Sequence, residues 1–298
     1  MTQSFPKVKI YTALAFGMLA FGLGPNIVKY GAEYSAYKIA VSRTLIAYLL
    51  LIPVWVVHLR EQKRLNLPLT KLSWWEVVAG LALGIHFVTW IASLYYTSVA
   101  SASVLVTFHP ILMILAERSF FKVKFPKMVW LGVIVSFSGS ALLGFFDQEP
   151  GDTYSNPLLG NALAFTAAII FAVYFLISRK IRQNSEWIDY VIKIYGFAAI
   201  ACLAVMLILD SDFSEFLEPK LIIIGLLLAL GPQIMGHGSI NYAVKFLSPT
   251  IISTLILIEP LIASIIAVIL FNEMPSVYSI GAMIIIFAGI ALTWAKKD

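Results

Sequence analysis

The feature that most limits this chain is the recurrence of long apolar runs. Read as spans, they number ten, at about 8–29, 36–58, 74–97, 101–118, 126–146, 157–179, 187–210, 220–243, 250–271 and 276–295. A helix crosses a bilayer with roughly 20 such residues. Lipid offers the backbone no hydrogen-bond partners, so spanning segments must be helices or closed barrels. A barrel would show short alternating segments, which are missing here. With 60% hydrophobic and 12% charged residues and a mean hydropathy of +0.89, the chain reads as an all-α, polytopic membrane protein.

The net charge of +5 sorts by side. One set of connections carries Lys7, Lys9, Arg60, Lys63, Arg64, Lys71, Arg118, Lys122, Lys124, Lys127, Arg179, Lys180, Arg182, Lys245, Lys296 and Lys297. The opposite set carries Lys29, Lys38 and Lys220 among the acids Glu33, Asp147, Glu149, Asp152, Asp210, Asp212, Glu215, Glu218 and Glu273. Bases collect on the cytoplasmic side, so both termini are expected there. The positive balance is a topology signal and points to no nucleic-acid partner. The start, MTQSFPKVKIYTALAFGMLAFGLG, has an apolar stretch too long for a signal peptide and is read as an uncleaved first span. Trp74, Trp75, Trp130, Trp187 and Trp294 fall at span ends, as an aromatic belt requires, whereas Trp90 does not. Cys202 is the only cysteine and reads as a small buried hydrophobe, with neither a disulfide nor a cysteine metal site available.

The chain also repeats itself. TSVASASVLVTFHP (97–110) aligns without gaps on LSPTIISTLILIEP (247–260), an offset of 150. Pro110 then meets Pro260 and Gly139 meets Gly289, which weigh more than apolar identities because they mark backbone geometry. At the same offset Arg43 meets Lys193, each a lone base inside a span. Five spans per half is an odd number, so the second half enters from the other side of the membrane. The expectation is two inverted repeats, 1–150 and 151–298, of five helices each. In secondary transporters such halves meet at a midplane site.

Several motifs follow this plan: a base near the start of the second span (VSRTLIA, 41–47), the small-residue approach to proline in each half, an acid after the penultimate span (FNEMP, 271–275) and a closing glycine helix (YSIGAMIIIFAGIAL, 278–292). Together with the span count, they make the whole chain resemble the EamA-type permeases of the drug/metabolite transporter superfamily. The first half departs from that pattern. It has Lys122-Val123 where the second has Asn272-Glu273, and His109 where the second has an acid before proline. The resemblance implies an exporter of a small polar or amphipathic metabolite, an amino acid or related compound.

Candidate site residues are the polar groups at membrane depth. His109-Pro110 and Glu259-Pro260 occupy matching positions, and each proline removes one backbone hydrogen bond. A broken helix beside an ionisable group is what a midplane site uses. Two readings of Glu259 stand: a substrate or proton-coupling group, with His109 as the other proton candidate, or a carboxylate that bonds a neighbouring span and fixes the bend. Gln233, His237 and Asn241 recur at i, i+4 and i+8, one stripe on a helix that Pro232 can bend. His86, Trp90 and Ser93 share a face of the third span; Tyr174, Arg43, and Asn26 beside Pro25 complete the set. Pro25, Pro110, Pro232 and Pro260 are the expected helix breaks.

Motifs for ATP hydrolysis, H-E-x-x-H zinc binding and G-x-S-x-G nucleophiles are missing, so neither an enzyme nor a metal or other cofactor is expected. The expected partners are a small-molecule metabolite, membrane lipid and protons. The membrane is expected to be the cytoplasmic membrane of a bacterium or archaeon, and the protein a monomer or homodimer. An exchanger or uniporter for phosphorylated or nucleotide-type metabolites, drawing on Arg43 and Lys193, is the alternative transporter; a membrane-embedded enzyme is the alternative of another class.

Overall fold

A computed structural model of the protein describes residues 7–67, 71–97, 99–146, 154–210, 212–271 and 276–294. Asn272 and Glu273 lie outside them. The elements in chain order are α1 (Lys7–Tyr30), α2 (Ala36–Arg64), α3 (Trp74–Tyr96), α4 (Val99–Val106), α5 (His109–Phe120), α6 (Lys127–Phe146), α7 (Pro157–Arg182) and α8 (Trp187–Leu209). After a 3-10 turn, Ser214–Leu217, come α9 (Pro219–Leu228), a π-helical segment (Ala229–His237), α10 (Gly238–Ala243), α11 (Pro249–Ile256), α12 (Glu259–Phe271) and α13 (Val277–Trp294). No strand occurs among the described residues. Eight helices in that set are long and apolar enough to cross a membrane; two shorter apolar helices, Lys127–Leu143 and Pro249–Ala263, stand at the fifth and ninth expected spans. The outer surface is apolar, with Leu49, Leu50, Val54 and Val57 of α2 and Ile200, Leu207 and Ile208 of α8 exposed. A soluble protein would not leave such a continuous apolar exterior; this is an integral membrane protein.

The fourth and ninth expected spans are each interrupted at the same register. α4 stops at Val106 and α5 starts at His109; α11 stops at Ile256 and α12 starts at Glu259. At both breaks the turn tightens to an i→i−3 bond, Phe108 N–H to Leu105 O (3.2 Å) and Ile258 N–H to Leu255 O (3.0 Å). Proline just inside the next helix explains this, since it lacks the N–H that would continue the ladder. Pro25, expected to break α1, does not: the helix runs through it from Lys7 to Tyr30. Beside it, the Asn26 side-chain amide donates to Gly22 O (3.4 Å) within α1 and to Ala263 O (3.5 Å) of α12, which ties the two helices together. Pro232 also leaves its span continuous but widens it into the π segment, where one loop per turn is enlarged and the missing N–H is tolerated. α2 outlasts its expected end and continues to Arg64, closed by Asn66 at φ 52, the left-handed conformation that terminates helices.

Close packing fixes the bundle. α3 lies at its centre against α7 and α8, α2 packs on α8 and α9, α1 on the π segment and α12, α6 on α13, and α5 on α11. Small residues permit these contacts. A Cβ at Gly84 would stand 2.7 Å from the Cβ of Ala201, so α3 approaches α8 almost backbone to backbone. The α2–α8 pair is tied at both ends by a charge in the first turn of each helix. Lys38 Nζ meets Asp212 (2.9 Å) and Glu215 (2.8 Å), while Asp189 accepts from Trp55 Nε1 (3.0 Å) and lies 3.4 Å from His58 Nε2. In the loop, the Ser214 amide and Lys38 hold the Asp212 carboxyl down to about 2. Trp187, placed in the aromatic belt by the sequence, instead donates inward to Gly238 O at 2.8 Å, which pins the end of the π segment.

Candidate functional site

The two helix breaks face one internal cavity. Its wall is made by Phe21 of α1, Arg43 of α2, His86, Phe87 and Trp90 of α3, Val106, Thr107 and His109 at the first break, Phe171 of α7, Pro232 and His237 of the π segment, and Ile256 and Glu259 at the second break. The space open to the centres of water-sized spheres is about 50 Å³, enough for a few waters or a compact solute.

Each polar group reaches the wall for a local reason. Among the buried positions of α2, which also include Lys38, Val41, Ser42 and Gln62, Ala36, Ile39, Ala40, Arg43, Thr44, Ala47 and Leu51 follow one line. That three-and-four spacing is a bundle-facing stripe, and Arg43 is its one cation. Arg43 is 1% exposed. Its guanidinium stacks 3.9 Å above the Phe87 ring and 6.0 Å from Trp90, and Nε donates to Gln233 Oε1 at 3.1 Å. Arg43 Nη2 has no hydrogen-bond partner among the described residues. Glu259, half-buried as a residue, stands at the second break and lines the cavity with Arg43, without an ion pair among the described residues.

Three histidines line the remaining wall. His86 Nδ1 pairs with Ala167 O at 2.9 Å, joining α3 to α7. His237 packs edge-on to Phe21 (5.0 Å) and Phe87 (4.9 Å), and His109 edge-on to Phe171 (4.8 Å). The Nδ1 atoms of His109 and His237 are buried and lack protein partners among the described residues. No cluster of three or more metal-ligating side chains occurs among the described residues.

Of the candidates read from sequence, Arg43, His86, Trp90, His109, Pro232, His237 and Glu259 come together here. Gln233 stands behind Arg43 as its partner. Four others serve packing. Ser93 bonds back to Trp90 O (2.7 Å), Tyr174 donates to Asn241 Oδ1 (2.8 Å), and Asn26 links α1 to Ala263 O of α12 (3.5 Å). The expected Gln233–His237–Asn241 stripe therefore divides, because the π segment shifts the phase on which an i, i+4 pattern depends. Lys193 pairs with Glu76 at 3.0 Å and takes no part in the wall, so the Arg43/Lys193 match in register carries different duties in the two halves. The sequence reading missed Phe21, Phe87 and Phe171, which look like ordinary apolar residues until their helices converge.

A family model for EamA-like transporters matches the chain twice, over residues 8–145 and 158–295. The protein belongs to the EamA-like transporter family. This EamA-like transporter is 25% identical over 301 residues to an uncharacterised transporter of Archaeoglobus fulgidus, covering 97% of this chain and 98% of that one. An uncharacterised transporter of Clostridium kluyveri is 25% identical over 259 residues, 85% of this chain and 81% of that one. For the uncharacterised transporter YdfC of Bacillus subtilis the figures are 25% over 205 residues, 67% of this chain and 64% of the other. A solved crystal structure, 15% identical, superposes with a TM-score of 0.77 over 96% of each chain, a likeness of fold. The EamA-like transporter is thus a membrane transport protein, and its two family matches cover the two helix breaks in turn.

Proposed function

We propose that the protein is a ten-span secondary transporter whose two inverted halves, 1–150 and 151–298, rock about the Arg43–Glu259 cavity. Its cargo is a small polar or amphipathic metabolite, an amino acid or related compound, carried outward across a bacterial or archaeal cytoplasmic membrane. Both termini are on the cytoplasmic side. The observation that carries this reading is the origin of the cavity wall. α1 to α5 supply one part of it; α7, the π segment, α11 and α12 supply the other. Two interrupted helices, each with an ionisable residue just before its proline, meet at that shared wall. Broken helices around a midplane site are the hinge of alternating access.

In this cycle Glu259 carries the coupling proton. It is the only carboxylate on the wall and has no ion-pair partner among the described residues, so it is free to exchange a proton when the cavity is wet. Glu259→Gln fixes the neutral form. In sealed proteoliposomes loaded with labelled L-leucine as probe, the variant is expected to lose gradient-driven flux and keep gradient-independent counterflow. Wild-type dependence on the imposed proton gradient in Glu259→Gln would remove Glu259 from coupling. An exchanger of phosphorylated metabolites is less well supported, because Lys193 is committed to Glu76.

A further inference from the structure

Arg43 is a permanent charge in a place where a lone charge is costly. It is 1% exposed, lines the cavity, and has no ion-pair partner among the described residues. Its neighbours hold it without neutralising it. Phe87 takes one face of the guanidinium and Gln233 takes Nε, so the plane is fixed while Nη2 has no acceptor among the described residues. A structural arginine spends its donors on carbonyls, as Arg179 does near the end of α7 with Val244 O (2.7 Å) and Leu247 O (2.9 Å). Opposite it, Phe21 and Phe171 offer apolar surface in a small space.

We infer that Arg43 is the anion-recognition point of the cavity: Nη2 receives a carboxylate of the cargo, whose compact apolar body lies against Phe21 and Phe171. The inference rests on the cavity's being the cargo site and adds the class of cargo and its orientation. A carboxylate suits the geometry because it is planar and carries one charge, matching one guanidinium edge. A phosphate dianion would leave net charge buried, since among the described residues no second Lys or Arg lines the wall. An ammonium on the same cargo would point toward Glu259, which makes a zwitterion acceptable and an amine alone a poor ligand.

The test is the melting temperature of the purified, full-length protein with four probes: L-leucine, isocaproate, which lacks the ammonium, isoamylamine, which lacks the carboxylate, and inorganic phosphate. A ligand of the folded state raises the melting temperature. L-leucine and isocaproate are expected to stabilise the wild type, and isoamylamine and phosphate are not. Arg43→Gln should weaken binding of both carboxylates by roughly tenfold to a hundredfold, the worth of a charge-assisted hydrogen bond. Arg43→Lys, which keeps the charge without the planar fork, should fall between, and it carries the test if Arg43→Gln does not fold. Stabilisation by isoamylamine or phosphate in place of the carboxylates overturns the inference. So does an unchanged response to isocaproate in the Arg43 variants, or no response to any probe. If the carboxylates fail while cavity positions are still reachable from both membrane faces, the anion assignment falls and the transport reading stands.

Discussion

Gly289→Ala should prevent α13 from seating on α6 and lower the melting temperature by about 5–10 °C. A Cβ at Gly289 would fall on the backbone nitrogen of Ser136 and stand 2.6 Å from its Cα. The obstacle is main chain, so no rotamer change relieves it and the helices must separate. Overpacking of this kind costs roughly 1–3 kcal/mol and more when backbone has to move. The separation would also disturb α6 where Gly139 faces Ile286 N at 2.7 Å and Ala282 O at 3.0 Å from its would-be Cβ. Gly281, on the same helix, has nothing within 4 Å of that position. Gly281→Ala should therefore be neutral or slightly stabilising, because alanine favours helix by about 0.5–1 kcal/mol over glycine. Equal behaviour of the two variants would show that α6 and α13 do not approach as closely as described.

The second large effect is expected at Glu117, on the face that carries the basic loops. Its carboxylate is 2% exposed and accepts from Thr250 N (2.8 Å) and Thr250 Oγ1 (2.6 Å), so the end of α5 caps the start of α11. Ser248 supplies the local cap, accepting from Ile251 N at 3.3 Å. The Glu117 contact joins the two halves directly beyond the cavity, and a negative group at a helix N-terminus is favourably placed. Glu117→Ala leaves two buried donors without their acceptor, at a cost of about 3 kcal/mol. Glu117→Gln retains an acceptor oxygen and should lose roughly half as much. If the proposed rocking breaks this contact as the cavity opens on that face, Glu117→Ala should also expose cavity residues there more often. A variant that melts like the wild type and leaves exposure unchanged would make the contact incidental.

How much was legible depended on whether a feature was local. The long apolar helices and the prolines at 110 and 260 follow from short windows of sequence. The helix breaks follow them because proline acts on its own turn. Arg43 was legible as an anomaly, a cation in an apolar run, yet its stacking on Phe87 was not, since α2 and α3 meet only in the bundle. The polar stripe on the eighth expected span was read with α-helical phase and failed where Pro232 sits in π geometry. Asn26 and Ser93 stand off the cavity wall for a related reason: polar groups in a membrane must bond something, and a nearby carbonyl serves as well as a cargo. The aromatic wall carried no signal of its own, since phenylalanine is as fit to face lipid as to face a ligand.

The central claim is that the cavity is presented to each side of the membrane in turn. Cys202 is the chain's one cysteine and is fully buried, with Sγ 3.5 Å from Gly84 O, so introduced thiols can be read against a silent background. Val106 and Ile256 line the cavity at the two breaks. Val106→Cys and Ile256→Cys, each in sealed vesicles of known orientation, are to be treated with a membrane-impermeant maleimide from one side and then, in a separate sample, from the other. Labelling of both positions from both sides is the predicted result. Labelling of either cysteine from a single side only would contradict the account.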